Sequence, residues 1–345
     1  MSSLVWNLGQ LLALAGIEFS FDESLQWLRS YLLFTVSENT VRAETEQMGA
    51  LQEQREVGWV CASQEEAYLQ ERLRQPGRIA PRLYGSIDAA KVRIEPRPKK
   101  GAEKEAHEDW RDMKIVCWFE TENVPPSQRS KRQQQKALRE QTALRAKQMQ
   151  YFCDIAPAEE FGKLLWATGC SVNADLCPDL AFLGDGAVWI GNLVSHYYPH
   201  AIQILDWYHA EEHLEVVAQA AFSDLAQRTL WLEENKQALW DGQVEEVISA
   251  CEKLALSASQ AAQAANDFAN NIERMRYDRF RAAGYMIGSG TVESACKQIV
   301  SQRLKLPGAQ WSADGAVYTA KARAAWLSGQ WHSLCERRSA LPLAI

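Results

Sequence analysis

From Leu180 to Leu214 the chain reads LAFLGDGAVWIGNLVSHYYPHAIQILDWYHAEEHL. Leu180 to Leu183 is a short apolar run, and Gly184-Asp185-Gly186 is a turn with one carboxylate at its tip. Trp189 to Tyr198 has helical spacing, with Trp189, Leu193 and Tyr197 on one face, and Pro199 stops it. Ala201 to Leu205 is a second apolar run, ended by Asp206, and Asp206-Trp207-Tyr208-His209 opens a polar helix. Strand, turn, helix, strand, helix is the grammar of a right-handed βαβ unit. It commits this part of the chain to an α/β fold with parallel strands. A carboxylate closes each strand, at the sheet edge where ligands collect in open α/β sheets.

Before this unit, Met1 to Glu53 reads as helical. Ser20 and Glu23 form a capping box, and Phe21, Leu25, Leu28 and Leu32 then give a core face. A break at Thr35-Val36 leads to a second helix start at Ser37. Helix, tight turn and helix, with Thr40 and Arg42 early in the second, outline a helix-turn-helix. A plain helical hairpin fits the same pattern. Gln54 to Pro81 is mostly polar and reads as a hinge. Leu83 to Asp88 and Lys91 to Ile94 read as two strands, with Asp88 ending the first. After a polar segment from Pro96 to Asp109, Met113 to Phe119 reads as a third strand. Ser127 to Gln150 carries Arg129, Lys131, Arg132, Lys136, Arg139, Arg145 and Lys147 against a single Glu140. Such a run is a solvated helix or a phosphate-backbone contact. Phe152 to Ala167 reads as a helix.

Beyond His213, Leu225 to Leu239, Val244 to Leu256 and Ser259 to Met275 keep helical periodicity with almost no Gly or Pro, as in an all-α insertion. A glycine-containing loop, Gly284 to Gly290, then delivers a helix from about Thr291, with Glu293 in its first turn and Lys297, Arg303 and Lys305 behind. Pro307-Gly308 ends it, and Asp314 to Ser328 is a last helix with Lys321 and Arg323.

The 345 residues carry a net charge of −7, which argues against a histone-like polyanion binder but leaves room for a basic patch. The eight cysteines include no C-x-x-C pair and read as reduced, mostly buried thiols of a cytosolic protein. Cys170 and Cys177 have the wrong spacing for a zinc knuckle. No apolar run approaches the ~20 residues of a membrane span. Val5 to Gly16 lacks a preceding basic region and reads as a core helix rather than a signal peptide. The thirteen tryptophans read mostly as core.

Asp88, Asp185 and Glu293 fall on two strand ends and the start of a late helix. Phosphoryl transfer on a nucleic-acid backbone uses two Mg²⁺ ions about 3.5–4 Å apart. Mg²⁺ prefers hard oxygen ligands and keeps several waters, so three carboxylates suffice. The blocks Ser86-Ile87-Asp88, Gly184-Asp185-Gly186-Ala187-x-Trp189-Ile190, Asp206-Trp207-Tyr208-His209-Ala210-x-x-His213-Leu214 and Ile287-Gly288-Ser289-Gly290-Thr291-Val292-Glu293-Ser294-Ala295-Cys296-Lys297 resemble those of bacterial insertion-sequence DDE transposases. The branch they resemble is the one related to the Mutator-like elements. Gln302-Arg303-Leu304-Lys305 and Trp311-Ser312 extend the likeness, which covers roughly Ser20 to Leu327.

The resemblance implies an RNase H-like mixed sheet flanked by helices, interrupted by an all-α insertion before the last catalytic helix, with a helical region N-terminal to it. The expected organisation is a DNA-binding helical region over 1–80 and the first part of the core over 81–213, with a basic linker at 125–150. The insertion over 214–284 and the last catalytic helix and basic tail over 285–345 would follow. It implies Asp88, Asp185 and Glu293 as the Mg²⁺ ligands, with Mn²⁺ able to substitute, and Asp206 and His209 as an accessory pair. It also implies double-stranded DNA as partner and a homo-oligomer assembled on it, in the cytoplasm. Thr40, Arg42, Arg129, Lys131, Arg132, Lys297, Arg303 and Lys305 are the expected DNA contacts. The sequence departs from the family pattern in having Ala89, where a glycine often follows the first aspartate. It also starts almost directly on the helix-turn-helix-like region, so a copy shortened at its N-terminus is expected. A transposase-derived DNA binder that no longer cuts is the main alternative. A further alternative lies in His209-Ala210-Glu211-Glu212-His213, which fits the H-x-x-E-H zinc-peptidase motif. There the histidines would bind the metal and Glu212 would act as base.

Overall fold

The computed structural model describes residues 8–95, 109–129, 143–256, 258–288 and 290–340, with the backbone alone at 291–293, 339 and 340. Four helices come first: α1 (Leu8–Glu18), α2 (Phe21–Leu32), α3 (Glu38–Ala62) and α4 (Glu66–Arg74). The capping box of α2 forms as its sequence predicts, with Ser20 and Glu23 each accepting from the other's backbone N–H. Its buried face is narrower than the spacing suggests. Phe21, Ser24 and Leu28 are buried, but Leu32 is exposed.

Strands β1 (Leu83–Ile94), β2 (Asp109–Asn123) and β3 (Leu144–Asp154) follow, then α5 (Ala158–Ser171), β4 (Leu180–Gly184), α6 (Val188–Tyr197) and β5 (Ile202–Leu205). They make one five-stranded mixed sheet of order β3-β2-β1-β4-β5. β1 to β3 form an antiparallel meander, and β4 and β5 run parallel to β1. One face of the sheet packs Ile87, Val116, Trp118 and Phe182 against α5 and α6. The other packs Tyr84, Ile115, Cys117 and Leu183 in a core shared with the helices before and after the sheet.

The chain then makes α7 (Trp207–Ala221), α8 (Leu225–Trp240), α9 (Val244–Leu254), α10 (Ser259–Asn270) and α11 (Tyr277–Ala282). Trp207 is edge-on to both Trp240 and Tyr277 at 5.0 Å, which anchors this helical block beside β5. Helix α12 (Gly290–Cys296) continues through a π-helical turn (Lys297–Ser301) into a last turn (Gln302–Leu304). α13 (Ala313–Leu327) and α14 (Trp331–Ala340) complete the fold. No helix among the described residues is long and apolar enough to cross a membrane.

Three local expectations are corrected. Gln54 to Pro81 is not a hinge. α3 runs on to Ala62 because its polar residues have a buried partner. Lys321 of α13, itself 1% exposed, pairs there with Glu56 and with Asp154 of β3, and Gln52 donates to Glu56. The two short strands at 83–94 are one strand, because β2 pairs with β1 all the way from Tyr84 to Ile94. Residues 144–154 form the edge strand β3 rather than helix. Their basic residues sit on the rim of the sheet, where charge protects an edge from pairing with other chains. Residues 96–108 and 130–142, which include Lys131 and Arg132, lie outside the described residues.

Candidate active site at the sheet edge

Three aspartates lie on or just past neighbouring parallel strands: Asp88 within β1, Asp185 directly after β4 and Asp206 directly after β5. Ser86 of β1 is opposite Leu183 of β4, so the register continued by two residues sets Asp88 opposite Asp185. Gly184 of β4 is opposite Leu205 of β5, which sets Asp185 beside Asp206. Asp88 lies within a strand, not at its end. β4 stops short of it, however, so this half of β1 projects past its parallel neighbour.

Each carboxylate is oriented by its own chain. Asp88 Oδ1 accepts the Ala89 N–H at 2.6 Å. Asp185 Oδ1 accepts the Ala187 N–H at 2.9 Å, across a turn that needs Gly186 in the left-handed region (φ 84°). Asp206 is buried and caps α7, accepting from the Tyr208 and His209 N–H groups at 2.6 and 3.1 Å. A buried cap is a structural role.

Helix α12 is tied to this edge by a bond that the sequence did not suggest. The Cys296 thiol donates to Asp88 Oδ2 at 3.1 Å. Burial first, and then the Asp88 charge, push the Cys296 thiol far above its usual range, so it stays protonated and acts as a donor. Position 293 lies one turn earlier on the same helix, and helical periodicity puts it on the face that carries Cys296. The side chain of Glu293 lies outside the described residues. Among the described residues no group of three or more His, Cys, Asp and Glu is placed to hold a metal ion.

Burial raises the Asp88 carboxyl above its ordinary value, and Asp185 adds to this. The bonds from Cys296 and Ala89 and the nearby His209 oppose the rise. A cleft of about 260 Å³ opens beside the pair, lined among others by Asp185, Val188, His209, His213, Asp267 and Asn271. The His209 and His213 Nε2 atoms face each other at 3.1 Å, close enough to share one proton. His213 Nδ1 lies 3.8 Å from Asp267. Burial, then His209, lowers the pKa of His213. Asp267 and Asn271 sit on and just after α10, and no sequence spacing links them to the strand-end acids. Glu212 is exposed and does not line this cleft, although its charge reaches His213.

The expected DNA contacts divide. Lys297 and Lys305 are exposed on or just after the helix that carries Cys296, and Lys305 is near enough to act on the Cys296 thiol. Arg303 is corrected. It is 2% exposed, donates to the Gly16 carbonyl at 2.7 Å and lies over the Phe21 and Trp311 rings. A guanidinium enclosed in this way cannot meet a phosphate. Lys321 and Arg323 are buried too. Arg129 is described and donates to the Val124 carbonyl. Thr40 is exposed in the first turn of α3, with its hydroxyl 2.8 Å from that of Ser37. Arg42 pairs with Glu38 and lies over Phe21. Past that turn the outer face of α3 presents Ala43 and Gln47, while its inner face is buried in the core. Gly49 lies so close to the Tyr318 backbone that a Cβ there would fall within 1.9 Å of it. The α2–α3 pair is thus a hairpin built into the core, with few bases on its open side.

No protein-family model matches this chain, and no curated protein matches it either. All eight cysteines are unpaired thiols, with Cys61 exposed, Cys177 partly buried and the other six buried.

Proposed function

We propose that this protein is a DDE-type DNA transposase built on an RNase H-like core. It would cut one DNA strand at an element end and join the freed 3′-hydroxyl to target DNA. The observation that carries this reading is the juxtaposition at the sheet edge. The β1–β4 register, continued two residues, brings Asp88 level with Asp185 just after β4, and the helix bearing position 293 is fastened to Asp88 through Cys296. The helical block between β5 and α12 fits the family's insertion before the glutamate. The sequence blocks around all three acids support the same reading.

The donor set fits a hard divalent cation. Two carboxylates share one partly buried edge, where the second raises the pKa of the first. Asp88, Asp185 and Glu293 would hold Mg²⁺, or Mn²⁺ in its place. Once bound, the metal supplies Lewis-acid polarisation of a phosphoryl oxygen. The chain's own groups prepare the rest. The Ala89 and Ala187 N–H groups fix the two carboxylates. The His209–His213 pair holds a proton beside the cleft. Lys297 and Lys305 offer exposed charge to the DNA backbone.

Nicking of supercoiled plasmid tests the proposal, with Mg²⁺ or Mn²⁺ and with Asp185→Asn as the comparison. Metal-dependent nicking that the substitution abolishes supports it. Salt-sensitive DNA binding without nicking would favour a DNA binder that has lost the chemistry. Nicking that survives Asp185→Asn would sink the assignment of the site.

A further inference from the structure

The opposite end of the sheet holds a second site. A cavity of about 860 Å³ opens near the start of β1, with Leu83 in its wall beside Trp118 and Glu120 of β2. Leu83 is five residues before Asp88, or about 16 Å along the strand, so this cavity is separate from the acidic edge. Its polar wall is made by Arg55 and Trp59 from α3, Arg78, Gln148 and Gln150 from β3, and Gln330 just past α13.

Arg55 is the centre of this wall. Its guanidinium lies 4.9 Å from the Trp59 ring centroid and donates to the side-chain oxygens of Gln52 and Gln330. Its Nε is buried and has no hydrogen-bond partner. Among the described residues no carboxylate forms an ion pair with it. The adjacent acid, Glu56, is committed to Lys321. Arg72, Arg82 and Arg338 are paired with Asp175, Asp179 and Glu44, whereas Arg228, Arg274 and Arg303, like Arg55, form no ion pair among the described residues. Arg337 adds positive charge near Arg55. Across the cavity Arg78 is paired with Glu120, the one acid among the described lining residues. Gln330 bridges Arg55 to Gln150, and Gln148 stands in the left-handed region (φ 53°), a conformation that non-glycine residues adopt only where surrounding structure enforces it.

A stacked guanidinium held in the cavity wall among amides, with no carboxylate paired to it among the described residues, suits a tetrahedral oxyanion, which takes several N–H donors at once. We propose that this cavity binds a phosphate group through Arg55, either as a free nucleotide or as the backbone of a nucleic acid. The inference does not depend on the transposase reading, since the cavity shares no residue with the acidic edge.

Calorimetric titration of the full chain tests it, with three probes. These are inorganic phosphate, deoxyadenosine monophosphate, and a short single-stranded oligonucleotide without terminal phosphates. At least one should bind saturably. Arg55→Gln should weaken that binding about tenfold or more, as expected for a lost charge-assisted contact. Gln330→Glu should do the same while keeping the fold, because it places a carboxylate against Arg55. It therefore decides alone if Arg55→Gln does not fold. Preference for the monophosphate identifies a free nucleotide, and preference for the oligonucleotide identifies the nucleic-acid backbone. Failure of all three probes to bind, or unchanged binding in Gln330→Glu, overturns the proposal.

Discussion

Two clusters of buried or half-buried carboxylates treat charge in opposite ways. Glu56 and Asp154 enclose Lys321, so two acids meet one ammonium and Gln52 satisfies a remaining acceptor. Asp88 and Asp185 share the sheet edge with a thiol, two backbone N–H groups and a histidine pair. No lysine or arginine among the described residues pairs with either of them. The first cluster is complete within the chain and ties α3, β3 and α13 together. The second leaves two carboxylates facing one another, a state that a cation from outside would relieve. Buried acids alone therefore do not mark a site. Acids without a resident counter-charge are the ones proposed here as a site.

That contrast can be broken most sharply through activity. Asp185→Asn should reduce plasmid nicking about a hundred- to a thousandfold, the scale of losing a group that stabilises transition-state charge. Lys321→Met should leave any nicking chemistry in place while the fold survives. It should cost about 3–5 kcal/mol in urea denaturation, because Glu56 is left buried without its partner. A loss below ~1 kcal/mol would mean that the triad is not the clasp described here.

Asp88→Asn sets the same comparison in stability alone, with the opposite sign. The folded carboxyl has a raised pKa, so wild type loses stability as pH climbs from the unfolded value through the folded one. In metal-free buffer the asparagine variant should melt higher than wild type at neutral pH. The advantage should vanish in acid, below the unfolded value. A lower melting point at neutral pH would contradict the picture of an uncompensated pair. The smallest effect belongs to His213. Its folded pKa is depressed, so its contribution is complete above about 6.5 and is lost as pH falls through the folded value. His213→Gln should flatten the stability curve in that window, read as melting temperature against pH.

The βαβ unit was legible because its apolar runs, its glycine turn and its proline stop are all local signals. The helical block after β5 was legible for a similar reason, since helical periodicity survives without knowledge of partners. β3 was not. Its alternation is masked by Arg145 and Lys147, and an edge strand takes its identity from the neighbour it pairs with. Arg303 and Lys321 misled for a related reason. Sequence reports a charge, but burial depends on whether a distant aromatic shelf or carboxylate has been placed to receive it. The aspartates themselves were evident from their motifs. Their level alignment came only from strand register, and the role of Cys296 came only from packing.

The bond between Cys296 and Asp88 joins residues 208 positions apart. Contacts of such long sequence separation form slowly, because a large loop must close before they can stabilise anything. During synthesis, β1, β4 and β5 all emerge before α12 exists. A nascent chain thus carries both aspartates but lacks the helix that completes their surroundings. Any product that stops before α12 therefore lacks the Cys296–Asp88 bond, and its acidic edge stays open on that side.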